Sequence, residues 1–201
     1  MDNTQSKTRL RILKVALRQF AYAGYAGASV QDIVDEAKVT KPTLYYYFRS
    51  KAGLYQALVD RAHEERYRLM TTAASSAKTF REQLIAMLAA LFEFLPKNRD
   101  LLRLSFATAF AAPGEVPEQI DFLKKGITHY EFVRGLIQKE ISAGRLNPDF
   151  SSTELAMGFY GMMNVYVMSS IINPKGPRQT RRTAEQIVEL YLRGAGKADV
   201  G

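Results

Sequence analysis

The 201-residue sequence has no cysteine and only two histidines, His63 and His129. Without thiols it can form no disulfide, no thiolate metal site and no cysteine nucleophile. It has no G-x-S-x-G elbow and no phosphate-cradling glycine loop, so no catalytic residues, metal ligands or cofactor are expected. Strand signals are missing as well. No segment alternates apolar and polar residues, and turn residues come at helical rather than hairpin spacing. The longest apolar run, 158–172, is interrupted by Asn164 and two serines and is expected to be too short and too polar to span a membrane. The opening MDNTQSKTRLRILKV has no apolar stretch leading to a small-residue cleavage site, so no secretory signal is expected and a cytoplasmic location is the default. No internal repeat is visible.

What is present is positive charge, unevenly spread. The formal net charge is +8. Residues 1–55 hold nine Lys/Arg against four acids, which leaves +5 on about a quarter of the chain. Such a basic segment is either a solvated face or the footprint of an anionic partner, most commonly nucleic acid. An apolar fraction of 47% with 11% aromatics supports a folded chain rather than a disordered one.

The periodicity is helical from the start. Leu10, Leu13, Leu17 and Phe20 form one stripe, which Gly24 ends. Ser29, with Asp32 three residues on, caps a second helix through Val30, Ile33, Val34 and Ala37. Thr40 caps a third, with Pro42 in its first turn, running to Tyr47 or Phe48. Ser50 caps a long fourth helix that fades in the soft TTAASSAK stretch at 71–78. Thr79 with Glu82, Asn98, Pro117, Ser151 with Glu154, and Thr180 open five more. The fold class is therefore all-α, with about nine helices. A small domain at 1–50 is expected before a larger one at 51–201, linked by the fourth helix at 50–72.

Helices two and three, joined by a three- to four-residue turn, fit a helix-turn-helix. In such a unit the second helix of the pair lies in the major groove with its N-terminal residues nearest the bases. Leu44 and Phe48, four apart, can face the core beside Val39, which turns Lys41, Thr43, Tyr45, Tyr46 and part of Tyr47 outward. A helix this short cannot bury Leu44, three tyrosines and Phe48 together, because they span more than a full turn. Some of the hydroxyls must meet water or a partner, and a tyrosine can bond a phosphate or lay its ring on a thymine methyl.

The segment SVQDIVDEAKVTKPTLYYYFRSKAGLYQAL, residues 29–58, resembles the DNA-binding segment of the tetracycline-repressor (TetR) family, and TLYYYFRSK is its most specific part. The first helix matches the family's lead-in, so the resemblance covers about residues 7–60. It implies DNA contacts from Ser29, Gln31, Thr40, Lys41, Thr43, Tyr45, Tyr46, Tyr47 and Lys51. Ser29 and Ser50 are caps as well as candidate phosphate contacts. Lys41 is placed to reach a guanine edge or a phosphate, and Lys51 a phosphate. Three departures stand out. Lys38 occupies a turn position usually held by glycine, predicting a positive φ at a cost of about 1 kcal/mol. Tyr47 replaces a frequent histidine, and Gly53 replaces an acid, predicting a weaker cap.

For the remainder the resemblance implies architecture: an effector-binding body whose last two helices pair with a second subunit. The expected product is a homodimeric repressor, released from a palindromic operator in double-stranded DNA by a small apolar or amphipathic molecule. Phe159, Met162, Ala184, Ile187, Val188 and Tyr191 are the expected dimer residues. Phe92, Phe106, Phe110, Tyr130, Phe132, Met163 and Tyr166 are either plain core or an apolar pocket, with Arg103, His129 and Asn164 as its polar handles. A helical protein lying on a membrane is the rival class. It would need a basic, uncapped amphipathic helix, whereas the charge here lies on short capped ones.

Overall fold

The computed structural model describes residues 3–118, 120 and 122–195, and among these there are nine α-helices, one short 3₁₀ turn and no strand. The chain divides into two compact units. Met1–Glu64 with Asn98–Leu123 form one, called here the N-unit; Glu65–Lys97 with Lys124–Gly201 form the other, the body.

The N-unit begins with α1 (Asn3–Gly27), broken at Gly24, whose φ of 71° favours a residue without Cβ. α2 (Val30–Glu36) and α3 (Lys41–Phe48) follow. Next come the first part of α4 (Lys51–Ser75) and, far along the chain, α6 (Arg99–Ala109). Their shared core holds Ile12, Phe20, Ile33, Leu44, Leu58 and Leu104. α6 is tied to α1 by polar contacts: Arg103 Nε donates to the Ala21 carbonyl at 3.0 Å, and the Tyr22 hydroxyl donates to Asp100 at 3.1 Å. Within the core the Tyr55 and Thr108 hydroxyls share a hydrogen bond of 2.7 Å.

The body contains the rest of α4, then α5 (Phe80–Phe94), α7 (Phe122–Ser142) apart from its first two residues, α8 (Ser152–Ile172) and α9 (Arg181–Ala195). Of the three cap pairs foreseen from the sequence, Ser29 with Asp32 forms only half a box, the Ser29 hydroxyl accepting the Asp32 N–H, and the other two form complete boxes. Thr79 and Glu82 exchange side-chain and backbone bonds, as do Ser151 and Glu154. At Ser151 the backbone N–H and the hydroxyl both donate to Glu154, at 2.7 and 2.8 Å, and hold its carboxyl below the usual range.

Three expectations are revised. α4 runs through the supposedly loose 71–75 because Thr71 and Ser75 return their hydroxyls to helix carbonyls and Ala74 is buried. α7 starts at Phe122 rather than Pro117, since Val116 and Ile120 are drawn against the N-unit core and the chain runs there in turns; residues 119 and 121 lie outside the described set. α8 begins at Ser152, as its Ser151 cap predicts, and so is longer than the apolar run 158–172; its 21 residues are, by length and composition, enough to cross a membrane. Its inner row, Leu155, Ala156, Phe159, Met163 and Val167, is nonetheless core of the body.

Lys38 does adopt a positive φ, 51°, as the missing glycine predicted. Lys38→Gly is expected to gain about 0.5–1 kcal/mol, readable as a higher urea midpoint with an unchanged slope.

Candidate nucleic-acid interface

The path from α2 to α3 is fixed by backbone bonds. Lys38 N–H reaches Asp35 O at 3.1 Å and Val39 N–H reaches Val34 O at 3.0 Å. Thr40 then starts α3. Its hydroxyl accepts the Thr43 N–H at 3.4 Å and bonds the Thr43 hydroxyl at 2.9 Å. Leu44 is fully buried and Phe48 nearly so, and these two anchor the helix. With that side fixed, the 3.6-residue period turns Lys41, Tyr45 and Tyr46 to solvent, Tyr46 being 72% exposed. Tyr47 is half-buried against the core and meets the Tyr46 ring edge-on at 5.2 Å, so it supports Tyr46 more than it projects.

The remaining expected contacts fall into two groups. Ser29 and Gln31 stand at the start of α2. Ser29 Oγ accepts the Asp32 N–H at 3.3 Å, and the Gln31 amide donates to Asp35 at 2.8 Å. Lys51 departs from expectation. Its ammonium donates to the Ala26 carbonyl at 3.2 Å and lies 4.7 Å from the Tyr25 ring centroid, where partial burial lowers its pKa. It closes the end of α1 instead of reaching outward as a phosphate clamp. Free outward charge comes instead from Lys38, Lys41 and Arg49, all exposed around α3. Arg49 was not singled out from the sequence, although it directly follows the aromatic run.

The expected effector residues do not form one set. Arg103 and Phe106 belong to the N-unit, where Arg103 is bonded to α1, and Phe110 is 77% exposed at the end of α6. In the body, Phe92 lies 6.4 Å from Tyr166, Tyr130 lies 6.3 Å from Tyr160, and buried His129 stacks on Tyr67 at 5.8 Å. Phe132 meets Tyr67 at 6.0 Å, Met163 is fully buried, and Asn164 accepts a bond from Arg66.

The expected dimer residues need correction. Phe159, Ala184, Ile187, Val188 and Tyr191 are all buried among α5, α8 and α9 of the same chain, and Met162 packs against that core in part. The stripe on α9 is thus an internal face. The outward apolar row is a different one: Met157, Gly161, Val165 and Ile172 on α8, with Leu190 on α9.

Two helices joined by a short turn, the second anchored by two residues and presenting tyrosines, define a helix-turn-helix DNA-binding unit. Residues 12–58 match the family described as bacterial regulatory proteins, tetR family. The chain is 28% identical over 128 residues to the HTH-type transcriptional activator FasR of Mycolicibacterium smegmatis, covering 64% of this chain and 58% of that protein. Three curated relatives that it matches are spanned over 47% to 58% of their own length. A tetR-family regulatory protein from Rhodococcus RHA1 shares the fold with a TM-score of 0.76 at 19% identity, over 96% of this chain and 99% of that one. FadR of Bacillus subtilis, solved in complex with stearoyl-CoA, shares it at 0.71 and 17% identity, over 92% and 98%.

Proposed function

We propose that the protein is a sequence-specific, DNA-binding transcription repressor. It acts as a homodimer on a palindromic operator and is released when an amphipathic small molecule binds the body. The observation that carries this reading is the construction of α3: Leu44 and Phe48 hold it, and Tyr45, Tyr46 and Lys41 are left for DNA. The outward apolar row on α8 supports a two-fold interface that would place two recognition helices about 34–36 Å apart or somewhat more. Gly161 has open space above it, so a partner helix can come close. The stearoyl-CoA complex of FadR supports an acyl-type effector. A duplex DNA partner places the site of action in the cytoplasm and calls for no chemistry beyond binding.

The test separates reading from positioning. Tyr46→Ala is expected to cost about 1–3 kcal/mol on the preferred operator and less on random duplex, with the salt slope nearly unchanged. Lys41→Ala is expected to lower the slope by about 0.9 if its ammonium meets a phosphate, whereas Lys51→Ala should leave the slope alone and lower the melting temperature. Titrations on both duplexes at several salt concentrations decide it. Equal losses on operator and random DNA for Tyr46→Ala would remove the reading role.

A further inference from the structure

Several arginines of the body are matched with acids at the surface. Arg134 pairs with Glu131, Arg145 with Glu140 and Arg193 with Glu189. Arg66 on α4 is different. Its Nη2 donates to the Asn164 side-chain oxygen at 2.6 Å, and its guanidinium carbon stands 5.1 Å from the Tyr160 ring centroid. Its Nε is enclosed and has no hydrogen-bond partner. Among the described residues no carboxylate pairs with it, and burial lowers its pKa from the ordinary value.

Arg66 as a residue is half-buried, but its Nε–H is enclosed, and an enclosed charged donor without a partner is unfavourable unless an acceptor compensates it. A neutral amide oxygen and the face of one tyrosine offset part of that cost and leave the Nε–H edge of the fork unused. The ring under this cation belongs to an apolar wall: Tyr160 meets Tyr130 at 6.3 Å, and both pack against the core of the body. A fork with one free edge takes a planar carboxylate or a phosphate oxygen pair, and apolar surroundings take the rest of the molecule.

We propose that Arg66, held by Asn164 and Tyr160, is the receptor for the anionic head of an amphipathic effector with a single carboxylate or phosphate on an apolar body. The assignment rests on the reading of the body as an effector domain and adds to it the charge of the ligand and the residue that selects it. Arg66 escaped the sequence because an arginine on an amphipathic helix reads as a solvated position, and Asn164 lies 98 residues away.

The experiment titrates full-length protein with dodecanoate, dodecyl phosphate and dodecan-1-ol, which share one chain and differ in the head. Binding is followed by calorimetry and by thermal shift. At least one of the two anions is expected to bind tenfold or more tighter than the alcohol, and which one does so separates a carboxylate from a phosphate source. Arg66→Met should bring the tighter anion down to the affinity of the alcohol, while Arg66→Lys keeps part of the preference. Equal binding of alcohol and anions to the wild type overturns the Arg66 assignment and leaves an uncharged effector standing. Binding of none of the three overturns the assignment and the effector reading together. The head-group comparison on the wild type needs no variant, so a misfolded Arg66→Met does not remove the test.

Discussion

Ile187→Glu should leave the body without a cooperative thermal transition, while Val165→Glu should keep the fold and produce a monomer. Ile187 is 2% exposed and enclosed by α5 and α8, so a carboxylate there has neither water nor a cation. Uncompensated burial of a charge costs about 3–5 kcal/mol, a large share of the 5–15 kcal/mol that holds a typical protein. Val165 is 57% exposed in the middle of the outward row of α8, where a carboxylate stays hydrated in the free subunit and is desolvated only against a partner. Circular dichroism with sedimentation on both variants separates the two outcomes. A folded, monomeric Ile187→Glu would restore α9's stripe as the intersubunit face. A wild type that sediments as a monomer at micromolar concentration would remove the dimer altogether.

Gly53→Ala is expected to destabilise the N-unit by at least about 2 kcal/mol and to weaken DNA binding by disordering the end of α3. Only Arg49 and Ser50 join α3 to α4, and the turn is tight: Arg49 has φ 62°, and Ser50 N–H reaches Phe48 O at 2.7 Å. A Cβ on Gly53 would stand 2.1 Å from that same Phe48 oxygen. The clash is with backbone, so no side-chain rotation relieves it. The glycine that looked like a weakened cap is therefore a requirement of the turn, and Ser50 Oγ still accepts the Gly53 N–H at 3.0 Å. Gly135→Ala on α7 is the control. Nothing lies within 4 Å of its added Cβ, so it should gain about 0.5–1 kcal/mol from helix propensity. Equal urea midpoints for Gly53→Ala and the wild type would overturn the steric account.

Local chemistry was what the sequence made visible. Thr40, Thr79 with Glu82, and Ser151 with Glu154 begin their helices as their hydroxyls and carboxylates require, and Lys38 takes the left-handed conformation that its position demanded. The two anchors of α3 followed from their four-residue spacing. What stayed hidden was long range. A stripe such as Ala184, Ile187, Val188 and Tyr191 tells that a helix is buried on one side, not whether its own chain or another copy does the burying. Nothing local tells that Arg103 bonds the Ala21 carbonyl 82 residues back and so binds α6 into the N-unit. Lys51 was misread for a related reason, since the carbonyl that captures it belongs to residue 26.

The division of labour within α3 bears on how such a regulator changes over generations. Two of its eight residues are buried in the core, and the helix is bracketed by two residues, Lys38 and Arg49, whose left-handed backbone fixes the chain's direction in and out. Lys41, Tyr45 and Tyr46 therefore carry little of the folding energy and can be exchanged one at a time by mutation without a loss of stability to be repaired elsewhere. A duplicated copy could drift toward a new operator along a path on which every intermediate is still a folded protein.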